Sequence, residues 1–229
     1  MIGLGTLINT AAIVAGGVAG RFVGKLLKER HRETLNMACG ISTLFIGISG
    51  AIEGLNDGGS LSAVISLALG GLIGEIIDIE RLFERLGEYL KAKTGNSGDS
   101  GFVNAFITAS LTVCIGAMAI VGSIQDGISG DYSILATKSV LDLIIVAVMT
   151  CSLGKGCAFS AVPVLLLEGL MTLAAMALKP LMTQPVLDSI SMIGSMLIFC
   201  VGVNLVWGKK VRVANLLPAL VVGAVWAAL

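Results

Sequence analysis

Glu168 stands in VLLLEGLMTL with no other charged side chain within ten positions on either side. A carboxyl in so apolar a run must be protonated, paired or facing water. A proton- or cation-coupled site would use such a group; a protonated Glu bonded between helices is the alternative. Lys138 and Asp142 are four residues apart. That spacing puts them on one helix face, where they could neutralise each other or line a vestibule. Asn9 forms a polar patch with Thr6 and Thr10 in GTLINTAA. Amides and hydroxyls suit a polar substrate or Na⁺, and serve equally well as bonds between helices. The stretch GSIQDGISGDYS, residues 122–133, offers the carboxylates of Asp126 and Asp131 on either side of Gly127 and Gly130. Carboxylates and carbonyls on a tight turn suit a hard cation, although the EF-hand spacing is absent and a plain turn has the same composition. Asn204, and Asn215 ahead of Pro218, complete the candidates.

Other chemistries lack their residues. The five cysteines, Cys39, Cys114, Cys151, Cys157 and Cys200, form no CxxC, and the one histidine is His31 in a basic loop. A zinc centre, a disulfide framework and a Ser-His-Asp hydrolase are therefore not expected. No phosphate-binding or dinucleotide fingerprint occurs, so ATP-driven transport would need another subunit. We nominate no catalytic residue, no metal ligand and no cofactor, and expect no enzyme.

These groups need elements to hold them, and composition says which. Of 229 residues 55% are apolar and 13% charged, and the mean hydropathy is +0.95. That charge content is about half the usual share of a soluble domain. Fifteen Lys and Arg balance fifteen Asp and Glu, which argues against a nucleic-acid partner. The continuous apolar runs exclude the alternation of a membrane barrel. The chain is expected to be all-α and polytopic, with about eight spans. They begin at Ile2, Leu35, Ser60, Phe102, about Ala136, about Cys157, Ser189 and Val211. The fifth holds Lys138 and Asp142, and the eighth Asn215 and Pro218; these two are the expected places for a broken or re-entrant segment. The first run carries its basic residues after it, the reverse of a secretory signal. The expected organisation is one membrane domain: residues 1–93, a flexible linker at 94–101 and a second segment at 102–229.

The loops after spans 1, 3, 5 and 7 hold thirteen of the fifteen basic residues, leaving Lys138 and Lys179 to the other side. The positive-inside rule makes the rich side cytoplasmic and both termini external. Residues 75–93 alternate Ile79, Leu82, Phe83, Leu86 and Leu90 with charges, as in an amphipathic helix on a lipid surface. Internal repeats have three competing alignments. TLFIGISGAIEGLNDG (43–58) matches TVCIGAMAIVGSIQDG (112–127); spans 1–3 match spans 6–8 in hydropathy rhythm; Glu53-Gly54-Leu55 matches Glu168-Gly169-Leu170. Gly16, Gly20 and Gly24, with Gly50–Gly54 and Gly70–Gly74, give faces for close packing inside the protein or for a homodimer.

Three blocks carry a resemblance: GTLINTAAI from Gly5, ITASLTVCIGAMAIVGSIQDGISGDYSILATKSVLD from Ile107 to Asp142, and KKVRVANLLPAL from Lys209. They resemble the YdfK/YqgA-like family of bacterial inner-membrane proteins, catalogued as domain of unknown function 554. The resemblance covers essentially the whole chain. It implies a multi-pass plasma-membrane protein and no established activity. It adds weight to Asn9, Gln125, Asp126, Asp131, Lys138, Ser139, Asp142 and Asn215, which lie in those blocks, while Glu168 lies outside them.

The sequence therefore supports a secondary transporter or channel for a monovalent or divalent cation or a small polar solute, working in contact with membrane lipid. The alternative is a membrane scaffold or sensor that acts through a partner, using its basic loops and amphipathic helix.

Overall fold

A computed structural model describes residues 2–55, 59–96, 98–114 and 117–229. The described residues form helices and turns and no strand. The α-helices are α1 (Leu4–Leu26), α2 (Glu29–Gly54), α3 (Ser60–Ile77), α4 (Ile79–Lys93), α5 (Phe102–Cys114), α6 (Ala117–Ser129), α7 (Ser133–Leu153), α8 (Ala161–Leu178), α9 (Gln184–Trp207) and α10 (Pro218–Ala228). Short 3-10 turns precede α8 (Lys155–Ser160) and α10 (Val213–Leu216).

Six helical stretches are long and apolar enough to cross a membrane. A seventh arises if α5 and α6, bent by 62°, count as one span, and Val213–Ala228 is a shorter apolar helix. These stretches fall on the eight apolar runs, but the break lies elsewhere than the sequence suggests. The fifth run is the continuous α7, and the fourth run is the divided one. Lys138 and Asp142 pair within α7 and so offset each other's charge; nothing there forces the helix open. The eighth run is short as expected, with a 3-10 turn leading into Pro218 at the first position of α10.

Helix faces are sorted by size and polarity. Leu7, Val14, Val18 and Phe22 on α1, and Leu166, Leu170 and Leu173 on α8, are exposed. Asn9, Ile13, Gly16, Gly20 and Gly24 on α1 and Glu168 and Thr172 on α8 are buried. Bulky apolar groups outward and small or polar groups inward is the pattern of helices whose surround is lipid.

The chain divides into two compact units. The first holds residues 1–39, 84–114 and 118–179. Its core packs Ile13, Ala105, Ala109, Val113, Val146, Met149 and Val164. Within it α1 runs parallel to α7: Gly5 sits on Leu135, Gly16 on the Leu143 carbonyl, Gly20 on that of Ala147 and Gly24 on Cys151. At Gly16 and Gly20 only hydrogen admits so close a backbone.

The second unit holds residues 40–83, 115–117 and 180–229. Here α2 runs antiparallel to α9, with Gly40 against Leu205, Gly47 against Phe199 and Gly54 against Met192. Likewise α3 runs antiparallel to α10, with Gly70 on Ala219 and Gly74 on Asn215 just before it. All the glycine faces noted in the sequence thus pack inside their own unit.

Of the repeat alignments, the one joining 43–58 to 112–127 runs over Asn56, Asp57, Gly58, Ile115 and Gly116, which lie outside the described residues. Two local devices recur among the described ones. Gly16-Gly17-Val18-Ala19-Gly20 on α1 has its counterpart in Gly70-Gly71-Leu72-Ile73-Gly74 on α3. Both α7 and α9 end at a glycine of positive φ, Gly154 (106°) and Gly208 (75°), each followed by a lysine and then a 3-10 turn.

Candidate functional site

The first unit gathers an ionic cluster. Lys138 and Asp142, one turn apart on α7, are 6% and 4% exposed, and α8 brings Glu168, at 1%. The Lys138 ammonium pairs with Asp142 Oδ2. It lies 3.6 Å from Glu168 Oε1 and donates to the Val113 carbonyl at 2.9 Å. Val113 belongs to the last turn of α5. A cation at a helix C-terminus also meets the negative end of the helix dipole. α1 supplies Asn9, fully buried, whose Nδ2 donates to Glu168 Oε1 at 2.8 Å. Four helices, α1, α5, α7 and α8, therefore converge on one ammonium and two carboxylates. Glu168 Oε2 and Asn9 Oδ1 are buried without a hydrogen-bond partner.

One turn further along α1 and α8, Thr6 Oγ1 faces Thr172 Oγ1 at 3.4 Å. Thr10 donates instead to the Thr6 carbonyl at 2.7 Å. Asp126, fully buried on α6, accepts from the Gly5 main-chain N–H through Oδ2 at 3.0 Å. A carboxylate there satisfies one of the open donors at the start of α1 and complements its dipole. Its Oδ1 is buried without a partner.

The other nominated residues have different surroundings. Gln125 Nε2 donates to Asp131 Oδ2 at 2.7 Å, and Asp131 Oδ1 accepts from the Ser133 N–H at 3.0 Å. That N–H holds the exposed Asp131 carboxyl below the usual carboxylate range. Asp126 and Asp131 are thus engaged with separate partners. Ser139 is buried and donates to its own helix, to the Ala136 carbonyl at 2.7 Å.

Asn215 belongs to the second unit, where it ties three segments together. Its Nδ2 donates to Glu75 Oε2 at 2.6 Å, and its Oδ1 accepts from the Glu80 N–H at 2.7 Å. Arg212 pairs with Glu75, and Lys209 with Glu80 at 2.7 Å. Asn204 completes this frame by donating to the Val211 carbonyl at 2.7 Å and accepting from the Val211 N–H at 2.9 Å.

Sequence reading missed two partners. Val113 contributes a main-chain oxygen, which residue type does not reveal. Thr172 follows Glu168 by four positions, one turn along the same face, and that spacing was the available signal.

Long apolar helices, lipid-type faces and a buried ionic cluster at a divided helix define a polytopic helical membrane protein. Residues 4–228 match the family described as "Protein of unknown function (DUF554)", and the chain belongs to that family. It is 30% identical over 219 residues to "Uncharacterized membrane protein YdfK" of Bacillus subtilis (strain 168), covering 95% of this chain and 93% of that one. It is 28% identical over 233 residues to "Uncharacterized protein YqgA" of Escherichia coli (strain K12), covering 98% of each. No solved structure matches.

Proposed function

We propose that the protein is a secondary transporter for an ion or small polar solute, seated in the bacterial inner membrane, with the Lys138–Asp142–Glu168 cluster as its coupling site. One observation carries the reading: a single ammonium serves two buried carboxylates at the end of a divided helix. When all three groups are ionised the cluster holds one negative charge too many. Buried excess charge is costly, so the site gains by accepting one proton, one monovalent cation or a cationic solute. Lys138 already fills the position among Val113 O, Asp142 and Glu168 Oε1 where a resident metal cation would sit, as a tethered cation in its place. Broken helices whose carbonyl ends face a charged site are a recurring feature of secondary transporters.

Helix directions agree with eight alternating crossings, and the charge distribution puts the termini outside. Spans 1 and 5 should run the same way, and α1 and α7 are parallel. Spans 2 and 7, and spans 3 and 8, should oppose each other; α2 opposes α9 and α3 opposes α10. The cluster then lies nearer the outer ends of its helices. On this reading the protein moves its substrate without chemical change, and is not an enzyme.

Proteoliposomes loaded with a panel of ions and small polar solutes test the proposal. Wild-type protein should mediate a flux that Asp142→Asn and Glu168→Gln abolish while both variants remain folded. Wild-type flux in both variants would overturn the coupling role and favour the scaffold reading.

A further inference from the structure

A second site stands at the other end of the first unit, among groups that the coupling cluster does not use. Where the last turns of α1 and α7 come together, a cavity of about 320 Å³ opens. Arg21, Lys25, Arg32 and Lys155 line it, against the single carboxylate of Asp99. Arg21 and Lys25 are exposed, while Arg32 and Lys155 are held in place. Arg32 is pinned by Nε and Nη2, which donate to the Gly24 carbonyl at 3.1 and 2.6 Å. Its Nη1 group is left for another acceptor. Gly154 takes φ 106°, a conformation that suits glycine, and so turns the chain to bring Lys155 into the cavity wall. Lys155 stands 3.8 Å from Asp99, at the outer limit of an ion pair.

We propose that this cavity binds a phosphate group. Two guanidinium forks and two ammonium groups make a set of donors for a multiply charged oxyanion, and paired forks favour phosphate geometry. The phosphate can belong to an anionic phospholipid headgroup or to a soluble phosphate. The cavity is at the basic ends of α1 and α7, which the proposed orientation turns to the cytoplasm, where both are available. The donor set itself does not depend on the transport reading.

The test uses the purified full chain in detergent with two probes. Native mass spectrometry reads retention of phosphatidylglycerol against phosphatidylcholine, and calorimetry reads binding of inorganic phosphate. Preference for phosphatidylglycerol identifies the lipid source, and heat with inorganic phosphate identifies the soluble one. Combining Arg21→Gln with Lys155→Gln should weaken the bound probe at least about tenfold, because each change removes a charge-assisted bond. Lys91→Gln, on α4 and outside the cavity, should leave binding unchanged. If the paired variant does not fold, Arg21→Gln and Lys25→Gln separately should each weaken binding. Absence of binding by either probe overturns the proposal. So does equal binding by the cavity variants, or an equal loss in Lys91→Gln.

Discussion

The ammonium of Lys138 donates to the main-chain carbonyl of Val113 at 2.9 Å. The bond joins α7 to the end of α5, where the fourth apolar run divides. It gives the buried ammonium a third oxygen beside Asp142 and Glu168.

Removing that ammonium should be severe. Lys138→Met leaves two buried carboxylates without their cation and should destabilise the protein by about 3–5 kcal/mol. Adding Asp142→Asn to it removes one of those charges and should recover part of the loss. Unfolding of the two variants in detergent measures the difference. Stability unchanged in the single variant would contradict the pairing.

The approach of α1 to α7 depends on absent side chains. A Cβ at Gly20 would fall on the Ala147 carbonyl oxygen, so Gly20→Leu should cost about 1–3 kcal/mol or more through overpacking. A Cβ at Gly169 on α8 would meet nothing within 4 Å, and Gly169→Ala should leave the melting temperature unchanged or slightly raised. Equal effects at both positions would count against the packing described.

Asn215 is expected to act on stability. Asn215→Ala loses the bonds to Glu75 and to the Glu80 N–H, and should cost about 2 kcal/mol. Asn215→Asp sets a second carboxylate against Glu75 and should be worse than alanine at neutral pH. Thermal unfolding of the pair, followed by flux measured at a temperature where each is folded, checks this; flux abolished in fully folded Asn215→Ala would instead place the residue on the transport path.

Asp131 gives a pH signature. The Ser133 N–H lowers its carboxyl in the folded state. The stabilisation is then fully present above the ordinary carboxylate value of about 3.9 and is lost as pH falls through the lower folded value. The melting difference between wild type and Asp131→Ala should stay constant from neutral pH down to about 5 and close only below about 4. A difference that closes between pH 5 and 7 would refute the assignment.

Much of the cluster was legible in the residues. Glu168 stood out because no charge lay near it, and the four-residue spacing of Lys138 and Asp142 placed them on one face. Asn9 stood out as an amide in an apolar run. What spacing cannot show is that α1, α7 and α8 bring these residues together, because convergence depends on packing between distant segments. The site of the helix break was also hidden. Hydropathy measures partitioning into lipid, not helix continuity, and Phe102–Ser123 carries no charged residue. The fifth run drew suspicion for its charges, yet Lys138 and Asp142 offset each other within one continuous helix. The glycines were visible as close-packing faces, but sequence alone could not tell packing within a unit from packing against another copy.

The most direct measurement is proton and cation flux in proteoliposomes bearing wild type or Glu168→Gln, read with pH- and cation-sensitive dyes under an imposed gradient. Glutamine keeps an oxygen to accept from Asn9 and removes only the charge, so the variant should fold. Wild type should dissipate the gradient of its coupling ion, and Glu168→Gln should not. Equal dissipation by both, from protein of equal thermal stability, would contradict a coupling role for the cluster.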